Sequence, residues 1–138
     1  MSRTLSDVKN VISKLDNTSK HYFNNLKPSD LEKIACVYVI YDDKNALYIG
    51  RTTNLRQRLY TNHLQGNKST ARLKKYIVED NFRFPNIDDY NKAKEYLKSK
   101  CYFRYIAEDD SRLRGHLEGL LGYMLDSVYI EDEHKGEK

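Results

Sequence analysis

The sequence predicts an α+β domain: a small three-stranded antiparallel sheet flanked by helices, with a helical extension at its N-terminus. Residues 36–41 and 46–50 are two short runs rich in β-branched and aromatic residues, separated by the polar turn Asp42-Asp43-Lys44-Asn45. Residues 101–106, Cys-Tyr-Phe-Arg-Tyr-Ile, form a third such run. Apolar residues at helical spacing surround all three. Three strands cannot bury both faces of a sheet, so these helices must cover it.

The elements follow in order. Leu5, Val8, Val11, Ile12 and Leu15 line one face of a helix over 5–16, with Ser6 as a candidate N-cap. Pro28-Ser29-Asp30-Leu31-Glu32 reads as a second, short helical start. The hairpin follows. Its register depends on the turn: a three-residue loop sets Tyr38 opposite Tyr48, and a two- or four-residue loop offsets them by one. A helix is expected from about Thr53 to Leu64, ended by Gly66-Asn67. Ser69 or Thr70 caps the next, which carries Leu73, Tyr76 and Ile77. After the break at 81–85, a helix over 88–99 uses Tyr90, Ala93, Tyr96 and Leu97. Asp110 or Ser111 opens a long helix bearing Leu113, Leu117, Leu120, Leu121, Met124 and Leu125. Residues from Glu131 onward have little to bury and read as a frayed polar tail.

At 138 residues the chain suits one domain of ordinary size. With 39% hydrophobic and 32% charged residues, it has a core and a highly charged surface. No apolar run approaches the ~20 residues of a membrane span, and the polar N-terminus lacks a signal-peptide core. Cys36 and Cys101 offer neither a disulfide framework nor zinc spacing, so they read as buried thiols in a reducing, cytoplasmic setting.

The net charge of +4 is unevenly spread. From Asn45 to Val78 there is no Asp or Glu, while Arg51, Arg56, Arg58, Lys68, Arg72, Lys74 and Lys75 fall within that window. Taking those 7 from the 24 basic residues leaves 17, against all 20 acidic ones, so the positive excess lies wholly in this segment. A one-sided cationic field suits a polyanion.

The tyrosine hairpin and this basic stretch adjoin. Cys36-Val37-Tyr38 and Tyr48-Ile49-Gly50, then Arg58 ten residues after the second tyrosine, then Arg-Gly-His-Leu-Glu at 114–118, resemble the ordered signature of the GIY-YIG nucleases. The resemblance runs from Cys36 to Asp126. It implies a nuclease domain over 35–128, preceded by an N-terminal helical extension over 1–34 that packs on it and followed by a polar tail over 129–138. It implies catalytic roles for Tyr38, Tyr48, Arg58, His63 and Glu118, with Glu118 holding one divalent cation, Mg²⁺ or Mn²⁺. Gly50, Arg51, Asn54, Arg56, Lys68, Arg72, Lys74 and Lys75 become candidates for contact with nucleic acid.

The chemistry suits these residue types. Phosphodiester hydrolysis places extra negative charge on the nonbridging oxygens, and an arginine fork grips two of them without losing its own charge. A phenol, with a reference pKa of ~10, positions and deprotonates water only when its surroundings assist. One glutamate suffices for Mg²⁺, which keeps waters and phosphate oxygens as its other ligands. His116 and Glu118, two residues apart, do not share a helix face and are no chelating pair. Three departures stand out. Cys36 replaces the first glycine of the motif. The helix histidine expected four residues after Arg58 falls one place later, at His63, so either the helix carries a local irregularity or His63 is a different group. The segment 128–131 lacks the asparagine that often closes the family's site. The function implied is a metal-dependent endonuclease acting on DNA, with no membrane partner and with a homodimer or a specificity-conferring protein left open. The alternative is a non-catalytic or partner-activated nucleic-acid-binding module of the same fold.

Overall fold

A computed structural model describes residues 2–67 and 70–130. The chain forms α1 (Leu5–Asp16), β1 (His21–Tyr22), a 3₁₀ turn (Pro28–Asp30), β2 (Cys36–Tyr41), β3 (Ala46–Thr52), a π-helix (Gln57–Leu64), α2 (Arg72–Glu79), α3 (Tyr90–Lys100), β4 (Tyr102–Ala107) and α4 (Ser111–Leu125). The sheet is antiparallel, in the order β1-β4-β2-β3. The expected α+β class holds. The sheet gains one short fourth strand, because His21 and Tyr22 pair with Phe103 and Tyr102. Two residues are too few to carry a β pattern in sequence.

The strands read as nearly unbroken apolar runs because helices cover both faces. On one face Tyr38, Ile40, Tyr48 and Phe103 pack with Leu59, Leu64, Leu73, Ile77 and Leu97 of the π-helix, α2 and α3. On the other, Val37, Val39, Ile49 and Ile106 pack with Leu15 of α1 and with Leu117 and Leu121 of α4. No helix among the described residues is long and apolar enough to cross a membrane.

Helix starts follow capping chemistry. Thr4, rather than Ser6, caps α1 in a reciprocal box with Asp7. Asp89 and Asp110 cap α3 and α4 by accepting from the N–H groups of Lys92 and Leu113. Ser69, one of the expected caps of α2, lies outside the described residues. The residue before α2 is Ala71, with no side-chain cap bond.

The hairpin register differs from both expectations. Asp42 Oδ1 accepts from the N–H groups of Lys44 and Asn45 at 2.9 and 2.8 Å, closing a four-residue loop with Tyr41 opposite Ala46. A bulge between Ile40 and Tyr41 then shifts the ladder, so Tyr38 faces Gly50 and Ile40 faces Tyr48. The two tyrosines are therefore offset by two places, not zero or one. An even offset keeps both rings on one face of the sheet.

Tyr129, assigned by sequence to the polar tail, is anchored. Val128 N and Tyr129 N donate to the carbonyls of Ala46 and Leu47 along the open edge of β3. The Tyr129 hydroxyl donates to Asp80 Oδ2 at 2.7 Å. The tail from Glu131 onward lies outside the described residues.

Candidate active site

The site gathers at the Gly50–Thr52 end of β3, the edge strand, where the two layers meet. Alternation sends Tyr48 and Gly50 to the face under the π-helix, and Arg51 to the face under α4. Arg58 comes from the π-helix and Glu118 from α4. Ile49, Arg51, Arg58, Glu118 and Tyr129 line one cleft of about 810 Å³. Arg51 Nη1 lies 3.4 Å from Glu118 Oε1. Gly115, Gly119 and Gly122 of α4 also line the cleft, and Cβ atoms at Gly119 and Gly122 would meet open space. A Cβ at Gly115 would come within 2.5 Å of Arg51 Nη1, so a side chain there would push the flexible end of Arg51 aside. The spacing of these glycines is visible in the sequence, but it marks a cleft floor only once α4 is seen against β3.

Behind the cleft lies a buried aromatic layer. The Tyr38 hydroxyl and His63 Nε2 share a hydrogen bond of 2.8 Å. The His63 ring meets those of Tyr38 and Tyr48 edge-on, with centroids 5.5 and 5.1 Å away. Tyr76 continues the layer from Tyr48 to Tyr129. Tyr38, Tyr48 and His63 are all essentially inaccessible to solvent.

The π-helix explains the displaced histidine. Its wide turn, seen in the bond from Gln65 N to the Tyr60 carbonyl, adds one residue per turn relative to an α-helix. A residue five places after Arg58 thus returns to the face that one four places on would otherwise occupy. The irregularity brings His63, and not Asn62, against Tyr38.

Burial, reinforced by the charges of Arg58 and Lys74, pushes the His63 pKa down to about 3, so its ring is neutral. Its Nδ1 is buried without a hydrogen-bond partner among the described residues. Between pH 6.5 and 3 the unfolded chain takes up a proton that the folded one refuses. Stability therefore falls as pH drops through that window, by up to about 5 kcal/mol from this residue. His63→Gln is expected to flatten the acid limb of urea-unfolding free energy by one proton. An unchanged slope would show that His63 titrates normally in the fold.

Gly50 makes room for the Tyr38 ring, because a Cβ at that position would come within 2.6 Å of Tyr38 Cζ. Gly50→Ala is expected to displace the phenol from His63 and to lower stability by about 1–3 kcal/mol, read from urea unfolding.

The other basic candidates separate. Arg56 Nε donates to the Leu31 carbonyl at 2.8 Å, tying the N-terminal segment to the helix. Asn54 Oδ1 accepts from Gln57 N at 3.1 Å, as a helix cap does. Lys74 is buried, with Nζ donating to the Leu64 carbonyl at 2.7 Å, and burial together with Lys94 lowers its pKa to about 8. It is turned inward, away from any phosphate at the surface. Arg72 and Lys75 are half-buried on α2, and Lys68 lies outside the described residues. The Cys36 side chain is buried in the core on the Tyr38 face, its thiol pushed up to about 12 by burial. Cys101 is likewise buried, its pKa raised.

Arg114, which opens the motif at 114–118 but is not among the site residues expected from the sequence, is buried in the first turns of α4. Its Nη1 donates to the carbonyls of Glu108 and Asp109 at 3.0 and 2.9 Å. No group of three or more His, Cys, Asp or Glu side chains among the described residues forms a metal cage. Glu118 presents one carboxylate to a cleft that a phosphate can enter. That donor set fits Mg²⁺ or Mn²⁺, whose remaining ligands are water and phosphate oxygens.

A search of curated proteins gave no match. A family model described as the GIY-YIG catalytic domain matches residues 34–103. That span begins just before β2, takes in both tyrosine strands and the π-helix with Arg58 and His63, and ends within β4, so Glu118 and α4 lie beyond it. Half of the chain, including the tyrosine hairpin and its cationic helix, thus carries the family's pattern, and the protein belongs to the GIY-YIG family of nuclease-type domains.

Proposed function

We propose that the protein is a metal-dependent endonuclease that hydrolyses DNA phosphodiester bonds. The observation that carries this reading is the convergence of Arg51, Arg58 and Glu118 on one cleft, backed by the Tyr38–His63 hydrogen bond. In this reading the catalytic unit spans 35–128, with 1–34 as an extension packed on it and 129–138 as a tail. Arg58 grips the nonbridging oxygens of the scissile phosphate and stabilises their growing charge. Arg51 exchanges its pairing with Glu118 for a phosphate. A divalent cation bound at Glu118, Mg²⁺ or Mn²⁺, supplies further charge stabilisation at the phosphate and at the departing oxygen.

The attacking water loses its proton towards the phenol layer. Neutral His63 carries one nitrogen lone pair, and with Nε2 as acceptor it holds the Tyr38 hydroxyl by a hydrogen bond and fixes the orientation of that phenol. The water's proton passes to a tyrosine of this layer, Tyr48, with Tyr38 held beside it by His63; both phenols are buried in the free protein, so in this reading DNA binding opens the layer to the water. The water oxygen bonds to phosphorus, and the bond from phosphorus to the leaving sugar oxygen breaks.

Incubation of the purified protein with supercoiled, linear, branched and single-stranded DNA tests this, with Mg²⁺ or with EDTA. Nicking that requires the cation and is lost in Arg58→Ala and Glu118→Ala is expected. Cleavage that persists in both variants would remove the site assignment. Salt-sensitive binding with no cleavage under any condition would favour the non-catalytic module.

A further inference from the structure

A second, smaller pocket of about 230 Å³ opens beside the cleft, lined by Arg51, Thr52, Thr53, Arg58, Ser111 and Arg114. We infer that it binds a second backbone phosphate of the DNA, adjoining the one in the cleft; the inference rests on the nuclease reading above.

The lining combines three guanidinium groups with the hydroxyls of Thr53 and Ser111 and includes no carboxylate; a further hydroxyl, on Thr52, is bonded to the Asn54 backbone, and Arg51 is shared with Glu118 of the adjoining cleft. Two of the three acids just before Ser111 are engaged locally: Glu108 Oε2 accepts from Asp110 N at 3.1 Å, and Asp110 Oδ1 accepts from Leu113 N at 3.0 Å; Asp109, the third, does not line the pocket. Arg114 is fixed in place, buried and bonded through Nη1 to two carbonyls. Those two bonds account for two of the five donors a guanidinium carries. The pocket thus offers pre-positioned donors and positive charge from three separate elements, the end of β3, the π-helix and α4. Such a lining suits a phosphodiester and suits neither a cation nor an apolar group. Ser111 opens α4, a helix of 15 residues, so the partial positive charge of its N-terminus adds to the same field. Arg51 and Arg58 line both cavities, so an anion here lies next to one in the cleft. Two adjacent phosphate seats fix the direction of a strand across the site, which a single seat cannot do.

Ser111 and Thr53 are exposed and stand outside the catalytic groups. Ser111→Glu and Thr53→Glu each put a carboxylate at the pocket from a different element. The first is also favourable for the helix, since acids suit the first turn. Binding of a DNA duplex would be measured with EDTA present, over a range of salt, alongside thermal melting of each variant. Each variant is expected to melt close to wild type, to lose about tenfold in affinity, and to reduce the slope of log K against log salt by ~0.9. A series of duplexes, each with one phosphate replaced by a neutral methylphosphonate, then locates the contact. One position should cost wild type about tenfold and cost the variants nothing further. Salt slopes and methylphosphonate profiles equal to wild type in both variants would overturn the pocket and leave the nuclease reading standing. The expected profiles in a wild-type protein that never cuts DNA would uphold the pocket and overturn the nuclease reading.

Discussion

Arg58→Ala is expected to lower the rate of DNA cleavage about 10³-fold with little change in stability. Arg58 lines the cleft that Glu118 faces, and it lines the neighbouring pocket as well. No acid precedes or follows it within the stretch from Asn45 to Val78. Removing one fixed donor from a charge-developing transition state typically costs about 10²–10³ in rate, and arginine on a transferring phosphoryl group about 10³–10⁵. Arg58→Lys retains the charge and loses the planar fork, so it should recover only part of the activity. A second readout separates this role from simple packing. The Arg58 charge helps to hold down the His63 pKa, so the alanine variant should show His63 titrating at higher pH by NMR. A variant that cleaves at wild-type rate, with His63 unmoved, would mean that Arg58 faces neither the phosphate nor the relay.

Much of this site is legible in the amino-acid sequence, because the motif residues carry their own chemistry. The acid-free basic stretch needs only composition, while the two tyrosines and the carboxylate on the last helix are picked out by the resemblance to the GIY-YIG signature. The rest depends on geometry that no local pattern encodes. The bulge beside Tyr41 decides which residue faces Tyr38, and nothing in the turn residues announces it. The π-turn decides whether Asn62 or His63 meets that phenol, although the one-residue displacement of His63 is its trace in the sequence. Charge alone cannot separate Arg58, which lines the cleft, from Arg56, which holds the Leu31 carbonyl, or from Lys74, which is buried on the Leu64 carbonyl. All three look alike as cations in a run. The neighbouring chain segments that take up their donors are distant in sequence or come from the end of a helix.

Glu118→Gln should abolish cation-dependent cleavage, by at least about 10³-fold, while leaving the fold almost untouched. Two features of Glu118 support both halves of that expectation. Its carboxylate lines the cleft, and its neighbours Gly115, Gly119 and Gly122 keep the helix surface beside it low and open. Its pairing with Arg51 is 3.4 Å long, and the Arg51 side chain is 53% exposed, so loss of the pair should cost at most about 1 kcal/mol. Glutamine keeps the shape and removes the charge that a hard divalent cation requires. Calorimetric titration with Mn²⁺ in the presence of an uncleavable phosphorothioate duplex reads the cation site without relying on turnover. Wild type should bind with a stoichiometry of one, and Glu118→Gln should lose that heat. Arg51→Ala gives the opposing arm, since it removes the cation that competes for the same carboxylate. It should tighten Mn²⁺ binding to the free protein and still weaken DNA binding, through loss of a phosphate contact. Both effects in one variant would establish that Arg51 moves between carboxylate and phosphate. Unchanged Mn²⁺ binding in Glu118→Gln would place the cation on another ligand and sever α4 from the chemistry.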